Sequence, residues 1–379
     1  MTEGASSSGY APSNGTQLRL QLQTPAEESN RSVYVSGNFN GWGTGSKAYA
    51  MRQTGPGYYE FHFPVEEWLP EQLEYKYHRG DWDQVELDRF GNPRPNRILN
   101  PRKRDKQSDS VDRWMIDGLS YKPEYLPKIE ILTEDFKIPK LIKTRRIAAL
   151  LPCDYYETNK RYPVLYLQDG QNLFDDYAPF GSWGVDKKLA LMKEQGFGDL
   201  IIVAIDHAEK DRITEFTPSY RTQLGAGNGK KYLRVLADRL KPYVDEHFRT
   251  LPGRENTGIG GSSMGGLISI YAGLIYPEVY GKLMIFSPSL WVSPHIPFRI
   301  MNLNDPHDMN IYIYAGEGES ENMVPNIRRF MQAAQEQGDA SFNFELSLDP
   351  HGAHNEARWG QEFPRAAEWL FFNQPPKTP

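Results

Sequence analysis

Thr257 to Tyr271 reads Thr-Gly-Ile-Gly-Gly-Ser-Ser-Met-Gly-Gly-Leu-Ile-Ser-Ile-Tyr, and no other stretch of the chain restricts its fold as tightly. Gly261, Ser263 and Gly265 satisfy G-x-S-x-G. The residues before the motif have β and turn character. Those after it, Leu267 to Tyr276, are apolar and stop at Pro277, as a buried helix halted by proline does. Strand, sharp turn and helix form the context in which such a serine is lifted clear of the backbone above a sheet. Glycines on both sides of it remove the β-carbons that would keep strand and helix apart. An ordinary Gly/Ser loop would need none of this flanking pattern.

The rest of the second half agrees with such a turn. Strand-like runs at Arg145 to Leu151, Val164 to Leu167, Leu200 to Ile205, Leu283 to Phe286, Ile311 to Tyr314 and Phe342 to Leu348 alternate with helix-like runs at Val185 to Gln195, Lys231 to His247 and Asn322 to Gln337. This alternation predicts an α/β fold, a mostly parallel sheet covered by helices, with chemistry at the C-terminal ends of its strands. The first part of the chain has a different texture. Short alternating strands (Leu18 to Leu22, Ser32 to Val35, Tyr58 to Phe63, Leu73 to Tyr77) punctuated by Gly, Asn and Pro predict a small all-β sandwich. The expected organisation is a disordered tail over 1–16, a β-sandwich over 17–118, a linker over 119–127 and an α/β-hydrolase domain over 128–379.

Composition excludes several function classes. A net charge of −6 argues against nucleic acid as a partner. No run of residues is long and apolar enough for a membrane span. The first sixteen residues lack the basic start and apolar centre of a signal peptide, so a cytoplasmic location is expected. The single cysteine, Cys153, rules out an internal disulfide and reads as a buried thiol. No cluster of metal-ligand residues is evident, and no cofactor is expected. Gly225 to Lys230 lacks phosphate-loop spacing and reads as a mobile loop. Self-association is left open.

A serine hydroxyl needs a base to accept its proton. In the order serine, acid, histidine, the base belongs after the last strand, where His351-Gly-Ala-His354 stands. His354, just before a helical segment, is the candidate and His351 its rival. The acid belongs after the strand ending at Tyr314. Glu319 is chosen there, with Glu317 and Glu321 as alternatives. The oxyanion donors expected are the amide of Met264 and Gln171, in the loop after Leu167. Trp291, His207 and Trp183 are expected to line the substrate pocket. Arg212 and Glu215 are expected to pair and brace a loop beside the site.

Five collinear motifs carry a resemblance. They are Arg161 to Phe174, Arg212 to Pro218, the serine turn, Phe286-Ser-Pro-Ser-Leu-Trp291 and Gly352-Ala-His-Asn-Glu356. Together they resemble the esterase D-like "putative esterase" family of α/β hydrolases, which includes enterochelin and feruloyl esterases. The resemblance implies a serine ester hydrolase working through an acyl-enzyme, with Ser263, Glu319 and His354 as triad. Its substrate would be a small-molecule or glycan-linked ester of the sugar, feruloyl, acetyl or siderophore type. Two alternatives stand beside it: an acyltransferase with the same triad, or a catalytically silent carbohydrate-binding protein. Residues 36–42, 73–82 and 96–97 resemble a starch-binding or early-set β-sandwich. In such a module Trp42, Trp82 and Asn96 are candidates for sugar contact, the alternative being a structural or pocket-shaping part.

Overall fold

The computed structural model describes residues 18–26, 31–64, 69–133, 145–296, 308–336 and 342–372. The tail expected over 1–16 lies outside them. The chain divides into two compact units, Met1–Lys122 and Pro123–Pro379, and the division falls within the stretch read as a linker.

Among the described residues the first unit is built of strands, with short 3-10 turns at Lys47–Tyr49 and Trp82–Gln84. Arg52–Gly55, Tyr58–His62, Arg19–Gln23 and Lys106–Ser110 form a four-stranded sheet in that order. Tyr34–Gly37, Leu73–His78 and Arg97–Leu99 form a three-stranded one, and Glu86–Leu87 pairs with Arg113–Trp114. Arg19–Gln23 runs antiparallel to Tyr58–His62 and parallel to Lys106–Ser110. Alternate residues of both larger sheets (Leu20, Leu22, Tyr59 and Phe61 from one; Val35, Leu73, Tyr75 and Tyr77 from the other) share one core. This is the period-2 burial that a pleated strand imposes.

The second unit is built on one eight-stranded sheet. Its strands are β1 (Lys128–Thr133), β2 (Ile147–Leu151), β3 (Val164–Gln168), β4 (Ile201–Ile205), β5 (Thr257–Ser262), β6 (Lys282–Phe286), β7 (Met309–Gly316) and β8 (Phe342–Asp349). The spatial order is 1-2-4-3-5-6-7-8. β2 is antiparallel to both its neighbours, and the remaining pairs are parallel. β2 to β6 are buried along their whole length, as strands covered on both faces must be. β1 is the strand that the sequence hides. It lies at the sheet edge with Ile129 and Ile131 exposed, so no buried face marks it.

Side-chain alternation splits this core into two layers. Val164, Tyr166, Ile201, Val203 and Ile205 face one way, towards helices α3 (Gly229–Val235), α4 (Lys241–His247), α5 (Met264–Ile275) and α6 (Met323–Gln335). Leu165, Leu167, Ile202 and Ala204 face the other, towards α1 (Val185–Glu194) and α7 (Glu356–Ala367). A short helix, α2 (Arg212–Phe216), follows β4. A π turn over Leu236–Leu240 joins α3 to α4, so the helical run expected from Lys231 to His247 is continuous. This order of strands with helices on both faces is the α/β-hydrolase arrangement.

Candidate active site

Ser263 stands between β5 and α5 with φ 55° and ψ −118°, a conformation few side-chain-bearing residues adopt. Such strain costs about 1–3 kcal/mol and persists only where neighbours over-determine it. Here the Ser263 N–H donates to the Phe286 carbonyl at 2.9 Å, and its carbonyl accepts from Leu267 at 3.1 Å and Ser289 at 3.0 Å. A β-carbon on Gly261 would lie 3.0 Å from both the Gln168 side chain and the Gly265 backbone. One on Gly265 would lie 3.1 Å from Asp169 Oδ2. The two motif glycines therefore let β5 and α5 close onto the end of β3.

Two further positive-φ residues end adjacent strands. Asp169 follows β3 at φ 57° and Ser287 follows β6 at φ 44°. Asp169 accepts two hydrogen bonds from Arg212, Nε to Oδ1 at 2.6 Å and Nη2 to Oδ2 at 2.8 Å. This bidentate pair ties α2 to the β3 loop. It corrects the expected Arg212–Glu215 pair: Glu215 is buried against Arg145 at 2.7 Å instead. Arg212 reaches across 43 residues of sequence to its partner, a contact that local spacing does not announce.

His354 lies in the turn between β8 and α7. Its Nδ1 meets Glu319 Oε2 at 2.7 Å. Glu319 Oε1 accepts from Ser287 Oγ at 2.7 Å and from the Gly316 N–H at 2.8 Å. Burial of the Glu319 carboxylate, 1% exposed, opposes its charge. The hydrogen bonds from His354, Ser287 and Gly316 outweigh that and hold the carboxyl below its ordinary range. Glu317, Glu321 and His351 are exposed, and the His351 N–H donates to Asp349 at 2.9 Å.

Ser263 Oγ shares a 3.2 Å hydrogen bond with Ser289 Oγ. Ser263, Met264, Ser289, Glu319 and His354 line one cavity of about 720 Å³. Ile213, Leu224, Pro288, Trp291 and Met323 supply its apolar wall, and Arg212, Ser320, Asn322 and Asn326 supply polar groups. Trp291 is 55% exposed, so its ring is available to a ligand. The α6 residues of this wall escaped sequence reading. Their signal, polar groups one turn apart at a helix start, is common on any helix surface.

Two expected pocket residues lie elsewhere. Trp183 is buried, stacked on Phe286 at 5.2 Å and tilted against Trp359 at 6.1 Å, so it is core. A β-carbon at Gly360 would come 2.0 Å from the Trp183 carbonyl oxygen, which shows how closely α7 packs there. His207 is half-buried, its Nδ1 accepts from the Glu209 N–H at 2.8 Å, and the cavity wall does not include it. Burial lowers its pKa. Gln171 is outside the cavity wall too; its side-chain oxygen accepts from the His207 N–H at 3.1 Å. The loop at 225–230 is tied by backbone bonds from Gly227 to Pro218, Asn228 to Thr214 and Gly229 to Thr217. Cys153 is half-buried, and burial pushes its thiol up.

In the first unit, Trp42 and Trp82 lie together, ring centroids 6.1 Å apart, with Trp82 also against His78 at 5.2 Å. The Asn96 amide is engaged by Glu74 at 3.2 Å. Among the described residues no group of three or more His, Cys, Asp or Glu could hold a metal ion, and no helix is long and apolar enough to cross a membrane.

A serine on a strained strand-to-helix turn, lining one cavity with a carboxylate-bound histidine at the strand ends of an α/β-hydrolase sheet, defines the class. Residues 139–370 match the family described as Putative esterase, and the chain belongs to that family. It is similar to the uncharacterized protein YbbA of Bacillus subtilis, 24% identical over 240 residues that span 60% of this chain and 92% of that one. It is also similar to an endo-1,4-beta-xylanase/feruloyl esterase of Xylanibacter ruminicola, 26% identical over 218 residues, 56% of this chain but 27% of that longer protein. Among solved structures the fold is shared with the enterobactin esterase FES from Shigella flexneri, with a TM-score of 0.51, 16% identity and coverage of 93% of this chain and 92% of that one. It is shared as well with an IroE-like serine hydrolase from Shewanella oneidensis, with a TM-score of 0.52, 20% identity and coverage of 65% and 80%.

Proposed function

We propose that this chain is a serine carboxylic-ester hydrolase that forms an acyl-enzyme on Ser263. The observation that carries the reading is the 2.7 Å bond between His354 Nδ1 and Glu319, in the same cavity as Ser263. With Nδ1 bound to the carboxylate, Nε2 is the nitrogen free to take the Ser263 proton. Ser263 Oγ then attacks the ester carbonyl, and the alkoxide it creates is stabilised by the Met264 N–H at the start of α5. The second donor expected is a backbone N–H of the loop after β3, where Gln171 stands with its side chain turned to the His207 N–H. His354 returns the proton to the departing alcohol, and water repeats the sequence on the acyl-enzyme. No cofactor takes part.

The apolar wall beside polar Asn322 and Asn326 suits an ester with one apolar and one hydroxylated part. The feruloyl, acetyl, sugar-linked and siderophore-type esters expected from the sequence all meet that description. An acyltransferase would share every step up to the acyl-enzyme. The adjacent Trp42 and Trp82 rings suit stacking on a sugar face.

Hydrolysis of p-nitrophenyl acetate is the first test, and Ser263→Ala should abolish it. Undiminished turnover in that variant overturns the reading. A panel of feruloyl, acetyl-sugar, thioester and siderophore-lactone substrates then ranks the acyl groups, and acylated product from added alcohols identifies a transferase. Retention of the protein on amylose or xylan gels tests the sugar face.

A further inference from the structure

We propose that Trp359 and Ser287 form a positioning relay that decides which nitrogen of His354 carries the proton. The proposal rests on the reading of Ser263, His354 and Glu319 as a triad.

The relay begins with a residue that has no choice of role. An indole N–H donates and cannot accept. Trp359 Nε1 lies 3.0 Å from Ser287 Oγ, both side chains being buried. Ser287 must therefore accept there. A serine hydroxyl has one proton, and the remaining partner of Ser287 is Glu319 Oε1 at 2.7 Å. That proton is committed to the carboxylate. The Gly316 N–H at 2.8 Å reaches the same oxygen. Oε1 is thus filled by donors and holds no proton, and these same bonds hold the carboxyl in its ionised form, so that Oε2 accepts from His354. The proton shared between Oε2 and Nδ1 at 2.7 Å belongs to the imidazole. Nε2 is left as the base.

The same tryptophan also constrains the ring itself. Its indole lies edge-on to the His354 imidazole, with centroids 4.9 Å apart and planes at 82°. His354 directly precedes the N-cap of α7, Asn355, whose side chain accepts from the Arg358 N–H at 3.0 Å. One turn later Trp359 returns beneath the ring it orients. Ser287 is held for its part by strained backbone, φ 44°, and by a 2.7 Å bond from its N–H to the Tyr314 carbonyl. Ser287 and Trp359 act through Glu319 and His354 and are positioning residues.

The decisive measurement is the tautomer of His354, read from its ring ¹⁵N shifts in the full chain. The native protein should show a protonated Nδ1 and a bare Nε2. Ser287→Ala should give a mixture of tautomers, lower kcat on the order of tenfold and leave KM within about twofold. Trp359→Phe keeps an aromatic ring, removes the N–H and should act the same way to a smaller extent; it carries the test if Ser287→Ala does not fold. In a Glu319→Gln background both substitutions should cost almost nothing more in kcat, since the residue they act through is gone. Unchanged tautomer and kcat in both variants, or full additivity with Glu319→Gln, overturn the relay. Failure of the triad reading looks different: Ser263→Ala or Glu319→Gln would then leave esterase activity intact.

Discussion

Among the described residues, each unit brings a serine and a histidine together, in contact in the first and around one cavity in the second. In the first unit Ser36 Oγ and His78 Nε2 lie 2.8 Å apart and are fully buried. In the second, Ser263 and His354 share a solvent-accessible cavity. The buried pair has the tidier geometry and the wrong polarity. The Gly80 N–H donates to His78 Nδ1 at 3.1 Å, so that nitrogen is bare and Nε2 holds the proton. His78 then donates to Ser36, whose own proton goes to the Gly43 carbonyl at 2.6 Å. A histidine that gives its proton to a serine cannot act as base towards it. At His354 the partner of Nδ1 is a carboxylate, and the sense is reversed. Which group faces Nδ1, a backbone donor or an acceptor, decides whether Nε2 holds a proton or can take one up.

The largest expected effect tests this contrast directly. Ser263→Ala should reduce ester turnover by about 10⁴-fold or more, while Ser36→Ala should leave kcat within about twofold. The second change strands a buried histidine N–H and should lower stability by about 1–3 kcal/mol, measured by urea unfolding. Comparable loss of activity in both would break the comparison. Next in size is Glu319→Gln, which offers Nδ1 a group able to donate and so makes the His354 site resemble that of His78. A loss on the order of 10³–10⁴-fold in kcat is expected.

The smallest effect concerns pH. Burial lowers the pKa of His78 to about 4 from an ordinary value of 6.5, with nearby Asp81 opposing slightly. Between those values the unfolded chain binds the proton and the folded unit does not. Stability is therefore complete above pH 6.5 and falls as the pH drops towards 4, by at most about 3 kcal/mol. Urea unfolding followed by tryptophan fluorescence at pH 7 and pH 4.5 measures this, and His78→Asn should flatten the dependence. An unchanged slope in that variant would assign the acid sensitivity to other groups.

The serine turn was legible in the sequence because its requirements are written as missing atoms: two glycines where β-carbons would meet Gln168 and Asp169. The parallel strands were legible because burial on both faces leaves long apolar runs. The edge strand Lys128–Thr133 was not, since its apolar Ile129 and Ile131 are exposed and leave no buried face to read. Among Glu317, Glu319 and Glu321, what singles out Glu319 is contact with Ser287 and the Gly316 N–H, and one of these comes from another strand end. Trp183 and Trp291 read alike in one dimension, yet one stacks on Phe286 and the other faces the cavity. Depth in a layered fold is a property of packing, and neither residue's neighbours in sequence report it. The Arg212–Asp169 and Arg145–Glu215 pairs join residues 43 and 70 positions apart, beyond the reach of any local pattern.

Asp169, Ser263 and Ser287 place left-handed backbone at the ends of three neighbouring strands. Each is a position where glycine would sit more easily than the residue present, and each side chain has work that glycine lacks the atoms to do. Selection for heat resistance alone should therefore favour glycine at these three positions and dismantle the site as the fold hardens. Variants made more durable elsewhere in the chain, with this trio untouched, are the ones that should keep their chemistry.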